Sequence, residues 1–208
     1  MSVLDKLASS LNRQDEIPNQ ELAKEIVSAQ DKTAVAVLVE NLTNKKAVQN
    51  DCIKVLYEIG EQAPKLISDH IHEFIAQLSS KNNRLQWGAM TTLGTITGER
   101  PEEVYAALPT ILSAADKGSV ITKDQAINIL IKLCSVKTYS DDAFHLLIEQ
   151  LLRSPTNQLP MYAERAIPVI NGNNKAVFIK TLKSRLGDIE KETKRKRVEK
   201  VIKKFSTP

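Results

Sequence analysis

The chain has 208 residues, of which 42% are hydrophobic and 4% aromatic, with seven glycines and eight prolines. This length allows a substantial core, and a composition rich in aliphatic residues but poor in turn residues favours helices over a β architecture. The net charge is +4, but the segment from Lys175 onward carries 12 basic and 4 acidic side chains, so the preceding part of the chain is mildly acidic.

The sequence gives no sign of a membrane or secreted protein. No apolar run approaches the roughly 20 residues of a membrane-spanning helix, and the first residues include acids and amides where a secretory signal needs an unbroken apolar segment. Cys52 and Cys134 lie far apart without a CxxC motif, so we interpret both as buried thiols. We therefore expect a cytoplasmic protein that binds no cofactor, metal or membrane.

Two short amphipathic helices are predicted at the start of the chain. Residues 2–11 and residues 19–29 both place apolar side chains at helical spacing. We interpret residues 1–30 as an N-terminal capping segment of a single domain that covers residues 1–208.

A repeat follows over residues 31–172. Small residues recur 37 positions apart at Cys52, Ala89, Ala126 and Ala163. Large apolar residues follow four and seven positions later in every copy. This spacing marks one face of an α-helix, and its recurrence is typical of a solenoid whose repeats stack on their neighbours.

Each marked helix is the second of a pair. The predicted first helices are residues 31–44, 64–79, 101–115, 139–152 and 174–187. Asp31, Pro64 and Pro101 stand near helix starts, where a cap or a first-turn proline is favourable. Residues 173–208 are predicted to form a basic C-terminal helical hairpin that caps the array.

The second helices resemble the HEAT-repeat pattern, in which an apolar residue, a small residue and a leucine–glycine pair recur at helical spacing. The stretch "LQWGAMTTLG" fits this pattern at Leu85, Ala89, Leu93 and Gly94. The preceding copy has Tyr57 in place of the glycine. The resemblance implies an all-α fold, a right-handed α-solenoid of HEAT-like hairpins. It implies no single function, since such repeats serve scaffolds, transport receptors and a few enzymes.

Few residues are arranged for catalysis or metal binding. His70 and His72 lie about 200° apart around a predicted helix, so they cannot face a common ion. His145 falls at an apolar position of the repeat and is expected to be partly buried, unless a one-residue slip places Phe144 there. Spacing marks no nucleophile–base set and no phosphate-binding loop, so we expect a non-enzymatic protein.

The second helices of a HEAT-like array line its concave surface. Residues two positions before and after the repeated small residue lie about 160° and about 200° away from it, so we expect them to face water. These residues form two columns: Asn50, Trp87, Asp124 and Met161 in one, and Lys54, Thr91, Asn128 and Arg165 in the other.

The two columns are mostly polar, with Trp87, the chain's only tryptophan, and Met161 as exceptions. Exposed Trp, Met and Arg side chains are typical of contact hot spots. We therefore expect a scaffold or interaction module, with a protein or peptide bound on the concave face. The expected contact residues are Arg84, Trp87, Thr91, Asp124, Asn128, Met161 and Arg165. Alternatively, Trp87 packs against an adjacent repeat.

Nucleic-acid binding is the alternative function. The HEAT-like alkylpurine DNA glycosylases, which this chain resembles in length and basic character, grip DNA with aromatic residues and a catalytic aspartate. That resemblance implies roles for Trp87 and Asp124, with Arg84 and Arg165 nearby. The acidic body argues against it, because phosphate binding needs a basic stripe along the groove.

The "KRKR" run near the C-terminus is the other candidate contact with nucleic acid or with an acidic partner. It comprises Lys194, Arg195, Lys196 and Arg197. Glutamates at helical spacing favour a solvated face with ion pairs instead.

Overall fold

The computed structural model describes residues 2–206, and every regular element in that range is helical. The all-α prediction is therefore confirmed. The chain divides into two compact units, one up to Ala126 and one from Ile127. Within the described range, no helix combines the length and the apolar character needed to span a membrane.

The first unit contains α1 to α8 and the first part of α9. The bounds are α1 Ile17–Ala29, α2 Lys32–Glu40, α3 Lys46–Gln62, α4 Pro64–Ile67, α5 Ile71–Gln77, α6 Asn83–Ile96, α7 Pro101–Ala106, α8 Leu108–Lys117 and α9 Val120–Cys134. α3 packs against α1 on one side and α6 on the other, while α2 packs on α3 and α5 on α6. The first helices α2 and α5 thus lie against the second helices α3 and α6.

The prediction of a helix over residues 2–11 is wrong in extent, because the helix that forms there is a short 3-10 helix, Val3–Lys6. The chain leaves it in an extended conformation at Leu7. The next two backbone N–H groups then donate to buried side chains: Ala8 to Asn19 at 3.0 Å and Ser9 to Asp51 at 2.8 Å. These side-chain acceptors compete with helical hydrogen bonding and hold the segment against α1 and α3.

The second unit contains the rest of α9 and four further helices. Their bounds are α10 Ser140–Arg153, α11 Leu159–Ala166, α12 Lys175–Arg185 and α13 Glu192–Ser206. α10 packs on α12, α11 packs on α13, and α12 also contacts α13. Phe178 and Phe205 join α12 to α13 edge to face, with ring centroids 6.0 Å apart.

The repeated small position is buried in every copy. Cys52, Ala89, Ala126 and Ala163 are at most 1% exposed. The apolar residue four positions later is also buried in the first three copies, but Ile167 in the fourth is only half-buried. α11 ends just before it, at Ala166, and Pro168 cannot supply the N–H that a continued helix needs.

Two of the predicted first helices are interrupted. The segment 64–79 contains a 3-10 turn, Ser68–His70, between α4 and α5. The segment 101–115 breaks at Ala107, between α7 and α8. The second break has a clear cause, since Pro109 removes a helical donor and its ring would clash with the carbonyl four residues earlier.

The expected burial of His145 is wrong. His145 is exposed, whereas Phe144 is 6% exposed and occupies the core-facing position of α10. The larger apolar ring therefore takes the core position, by the one-residue slip considered above. Of the two thiols, Cys52 is buried as expected, but Cys134 is only half-buried.

Candidate protein-interaction site

An aromatic pair joins the two neighbouring second helices of the first unit. The ring centroids of Tyr57 on α3 and Trp87 on α6 lie 5.8 Å apart, with the ring planes tilted by 43°. Both side chains are half-buried. Trp87 thus packs against α3 while its side chain stays partly exposed. Sequence reasoning named Trp87 but missed Tyr57, whose only signal was that it replaces the glycine of the HEAT pattern.

Lys54 on α3 lies against this pair. Its Nζ is 4.7 Å from the centroid of the Tyr57 ring, forms an ion pair with Glu58, and lies 3.6 Å from Oε2 of Glu16. Lys54 is 7% exposed, so the prediction that it faces water is wrong. Its aliphatic stem is buried, and two carboxylates and an aromatic ring compensate for the loss of water around its charge.

The charge states of Lys54 and Tyr57 follow from this environment. Burial alone would lower the pKa of Lys54, but its interactions with Glu58 and Tyr57 raise that pKa above its ordinary value. Burial also raises the pKa of Tyr57, against the opposing effect of Lys54. At neutral pH the lysine is therefore charged and the tyrosine is a neutral phenol that can donate a hydrogen bond.

Arg84 on α6 completes the cluster through an ion pair with Glu16. Glu16 immediately precedes α1, so its carboxylate links α1, α3 and α6. Within residues 2–206, Oε2 of Glu16 and Nε of Arg84 are buried without a hydrogen-bond partner, which is uncommon in native proteins. We refer to the set that follows as the Trp87 cluster: Glu16, Lys54, Tyr57, Glu58, Arg84 and Trp87.

Thr91 does not face water as predicted. It is 9% exposed, and its hydroxyl donates to the backbone carbonyl of Trp87 at 2.9 Å. Packing of α6 against its neighbours covers the flank of the helix where Thr91 lies. Thr91 therefore forms a hydrogen bond within α6 and offers little surface for contact with a partner. Asp124, on α9, is half-buried.

In the second unit, the structure brings two of the predicted residues together. Nη1 of Arg165 donates to Oδ1 of Asn128 at 3.3 Å, across adjacent second helices. Arg165 is exposed, and Met161, one turn earlier on α11, is half-buried. These residues present a polar surface with one thioether rather than an aromatic anchor.

The four basic residues 194–197 all contact side chains of their own unit. Their partners are Asn157 for Lys194, Glu192 for Arg195 and Lys196, and Glu164 for Arg197. The pairs of Arg195 and Lys196 are helical ion pairs within α13, as the spacing of the glutamates predicts. Lys194 and Arg197 instead contact residues outside this helix. Over the described range, no group of three or more His, Cys, Asp or Glu side chains is arranged to hold a metal ion.

Comparisons with known proteins inform only the fold. No family model and no curated protein matches the sequence. Two crystal structures of engineered proteins from the Northeast Structural Genomics Consortium are similar. One is 21% identical, with a TM-score of 0.59 over 98% of this chain and 100% of that chain. The other is 18% identical, with a TM-score of 0.59 over 99% and 98%. At these identities the likeness concerns the all-α fold alone.

Proposed function

We propose that this protein is a non-enzymatic, cytoplasmic interaction module that binds a protein or peptide at the Trp87 cluster. Its hairpins are successive repeats, about 37 residues long, of a right-handed, HEAT-like α-solenoid whose second helices line a concave face. The observation that supports this site is the half-buried Tyr57–Trp87 pair flanked by Lys54 and Arg84.

Tyrosine, tryptophan and arginine are the residues that most often dominate binding energy at protein interfaces. In this cluster both cations are paired with carboxylates of the same unit, so its net charge is small. A polyanion such as DNA would therefore gain little there. The cluster better suits a ligand that places an apolar or aromatic side chain on the exposed indole and hydrogen-bonds at its edge.

Affinity capture with matched variants tests this proposal. The immobilised wild type, Trp87→Ala and Leu152→Ala are each incubated with lysate of the source organism, and the retained proteins are identified by mass spectrometry. Leu152, which is 44% exposed in the second unit, is a control for loss of an apolar side chain elsewhere. We expect a partner that is retained by wild type and Leu152→Ala but lost by Trp87→Ala.

The purified partner then gives a direct measurement at the site. Because Trp87 is the only tryptophan, a partner without tryptophan should change an emission spectrum that reports this position alone. We expect Trp87→Ala to weaken binding about tenfold or more, which is the effect of a hot-spot residue. Thermal unfolding of each variant separates loss of contact from loss of fold.

Two results would count against this function. Undiminished binding by a folded Trp87→Ala variant would show that the partner binds at a surface other than the Trp87 cluster. Tight binding of duplex DNA that weakens steeply with salt would favour the nucleic-acid alternative, because phosphate contacts release counterions.

A further inference from the structure

A groove of about 530 Å³ runs between α11 and α13 in the second unit. Four basic side chains line it: Arg197, Lys200, Lys203 and Lys204. Glu164 is the one acidic residue of the lining. The volume of the groove is within the range of ordinary ligand sites. The excess of positive charge indicates an anionic ligand.

The groove already holds one carboxylate. Arg197 donates two hydrogen bonds to Glu164, from Nε at 2.8 Å and from Nη2 at 2.6 Å. The hydrogen bond from Arg197 lowers the pKa of Glu164, with Lys200 adding to the effect. Glu164 is therefore charged at neutral pH, and its side chain shows how a ligand carboxylate would sit on Arg197.

The remaining lining is apolar. Ile167 is half-buried beyond the end of α11, and Val201, 3% exposed, faces it from α13. The lining contains no aromatic side chain on which a base could stack. A groove with cationic walls and an aliphatic lining complements a peptide better than a nucleic acid.

We propose that this groove binds an acidic segment of a partner protein, with carboxylates on Lys200 and Lys204 and an aliphatic side chain against Ile167. A ligand carboxylate competes with Glu164 for Arg197. The proposal is independent of the Trp87 cluster, because the two sites share no residue.

The first test uses the full chain and a fluorescein-labelled peptide in which pairs of glutamates alternate with single leucines. Two comparison probes are the same peptide with serine in place of leucine and a labelled single-stranded oligonucleotide of equal length. We expect the leucine peptide to bind most tightly in anisotropy titrations and to weaken with salt. Tighter binding of the oligonucleotide, or no saturation by the leucine peptide at low salt, would overturn the proposal.

Charge reversal locates the binding. Lys200→Glu combined with Lys204→Glu should weaken peptide binding about tenfold or more, since two attractive contacts become repulsive. The matched control is Lys180→Glu with Lys183→Glu, exposed positions of α12 outside the groove, which changes the net charge equally. Equal losses in the two double variants would show general electrostatic attraction instead and refute the site.

Removal of the competing carboxylate gives a test in the opposite direction. Glu164→Gln retains the shape of the side chain but releases Arg197, so peptide affinity should rise about threefold or more. Glu199→Gln is the matched control, because it removes the same charge from α13 outside the groove. Oε1 of Glu199 lies 3.9 Å from Nε of Arg195. An affinity that falls in Glu164→Gln, or rises equally in both variants, contradicts the proposal.

Discussion

Gly88 of α6 lies so close to Ile53 of α3 that a Cβ atom at position 88 would be 2.7 Å from Cγ1 of Ile53. Ile53 is fully buried, so it has little room to move. We expect Gly88→Ala to lower the free energy of unfolding by about 1–2 kcal/mol, even though alanine favours helices, because overpacking outweighs propensity.

Urea denaturation checks this expectation against Gly98→Ala. Apart from the two residues adjacent in sequence, no atom lies within 4 Å of a Cβ placed at position 98, and the φ of Gly98 is not positive. That control should be neutral or stabilising by up to about 1 kcal/mol. Equal behaviour of the two variants would mean that α3 and α6 can separate at little cost.

Arg185 of α12 holds the C-terminal end of α10. Its guanidinium donates to the backbone carbonyls of Leu151 at 2.8 Å, Leu152 at 2.5 Å and Ser154 at 3.0 Å. These groups include carbonyls without a partner inside the helix, where positive charge is favourable. Arg185→Ala should therefore destabilise the protein by about 2–3 kcal/mol, measured by thermal or urea unfolding.

A second substitution separates the geometry of the Arg185 guanidinium from its charge. Arg185→Lys keeps the charge but cannot reach three carbonyls at once, so an intermediate loss is expected. Lys183→Ala, an exposed position on the same helix, should change stability by less than about 0.5 kcal/mol. A full rescue by lysine would show that only charge matters there.

Asp51 anchors the N-terminal segment through a buried network. Its carboxylate accepts hydrogen bonds from the backbone N–H of Ser9 and from Nδ2 of Asn19, both at 2.8 Å. Asp51→Ala leaves both donors without their acceptor, so we expect a loss of about 2–3 kcal/mol. Hydrogen exchange at the Ser9 amide should accelerate in this variant.

A double-mutant cycle defines the network further. Asn19→Ala and Asp51→Ala share a hydrogen bond, so their combined effect should be smaller than the sum of the two. Strict additivity would show that the two side chains act separately.

Both cysteine thiols should be unreactive in the native protein. Burial raises the pKa of Cys52 and of Cys134 from 9.0 to about 12. At pH 8 only about one thiol in 10⁴ is then ionised, and the thiolate is the reactive form. We expect slow reaction with a disulfide reagent in buffer and rapid reaction of both thiols in urea. Reaction within seconds in the native state would contradict this.

The same shifts predict a loss of stability in alkali. Above pH 9 the unfolded thiols ionise while the folded thiols keep their protons, so this contribution to stability is complete below about pH 9 and declines toward pH 12. Cys52→Ala, which installs the residue of the other three copies, should reduce the decline. Unfolding midpoints between pH 8 and pH 11 measure it.

The order of the helices was predictable because a small residue that must be buried recurs every 37 positions of the sequence. Ala89 and Ala126, for example, are buried where the spacing predicts. Breaks within first helices were harder to predict. Pro64, Pro101 and Pro109 all stand in the first turn of a helix, but Pro109 does so inside the predicted helix 101–115, where the apolar spacing alone indicates no break.

The site was predictable only in part. Trp87 stood out as an apolar residue in a polar column, but the burial of Lys54 and Thr91 depends on packing between neighbouring helices, which angles around a single helix do not describe. Tyr57 reaches Trp87 from α3, and Glu16 reaches Arg84 from the residue before α1. Such contacts have no fixed sequence spacing.

The contacts of Tyr57 also affect the conformational entropy of the surface. Its ring touches the indole of Trp87 and the ammonium group of a nearly buried Lys54, so all three side chains have few alternative rotamers before anything approaches them. Ordering a free side chain at an interface costs about 0.5–1.5 kcal/mol. Much of that cost is therefore met during folding, and a molecule docking here would encounter a rigid surface whose shape changes little on association.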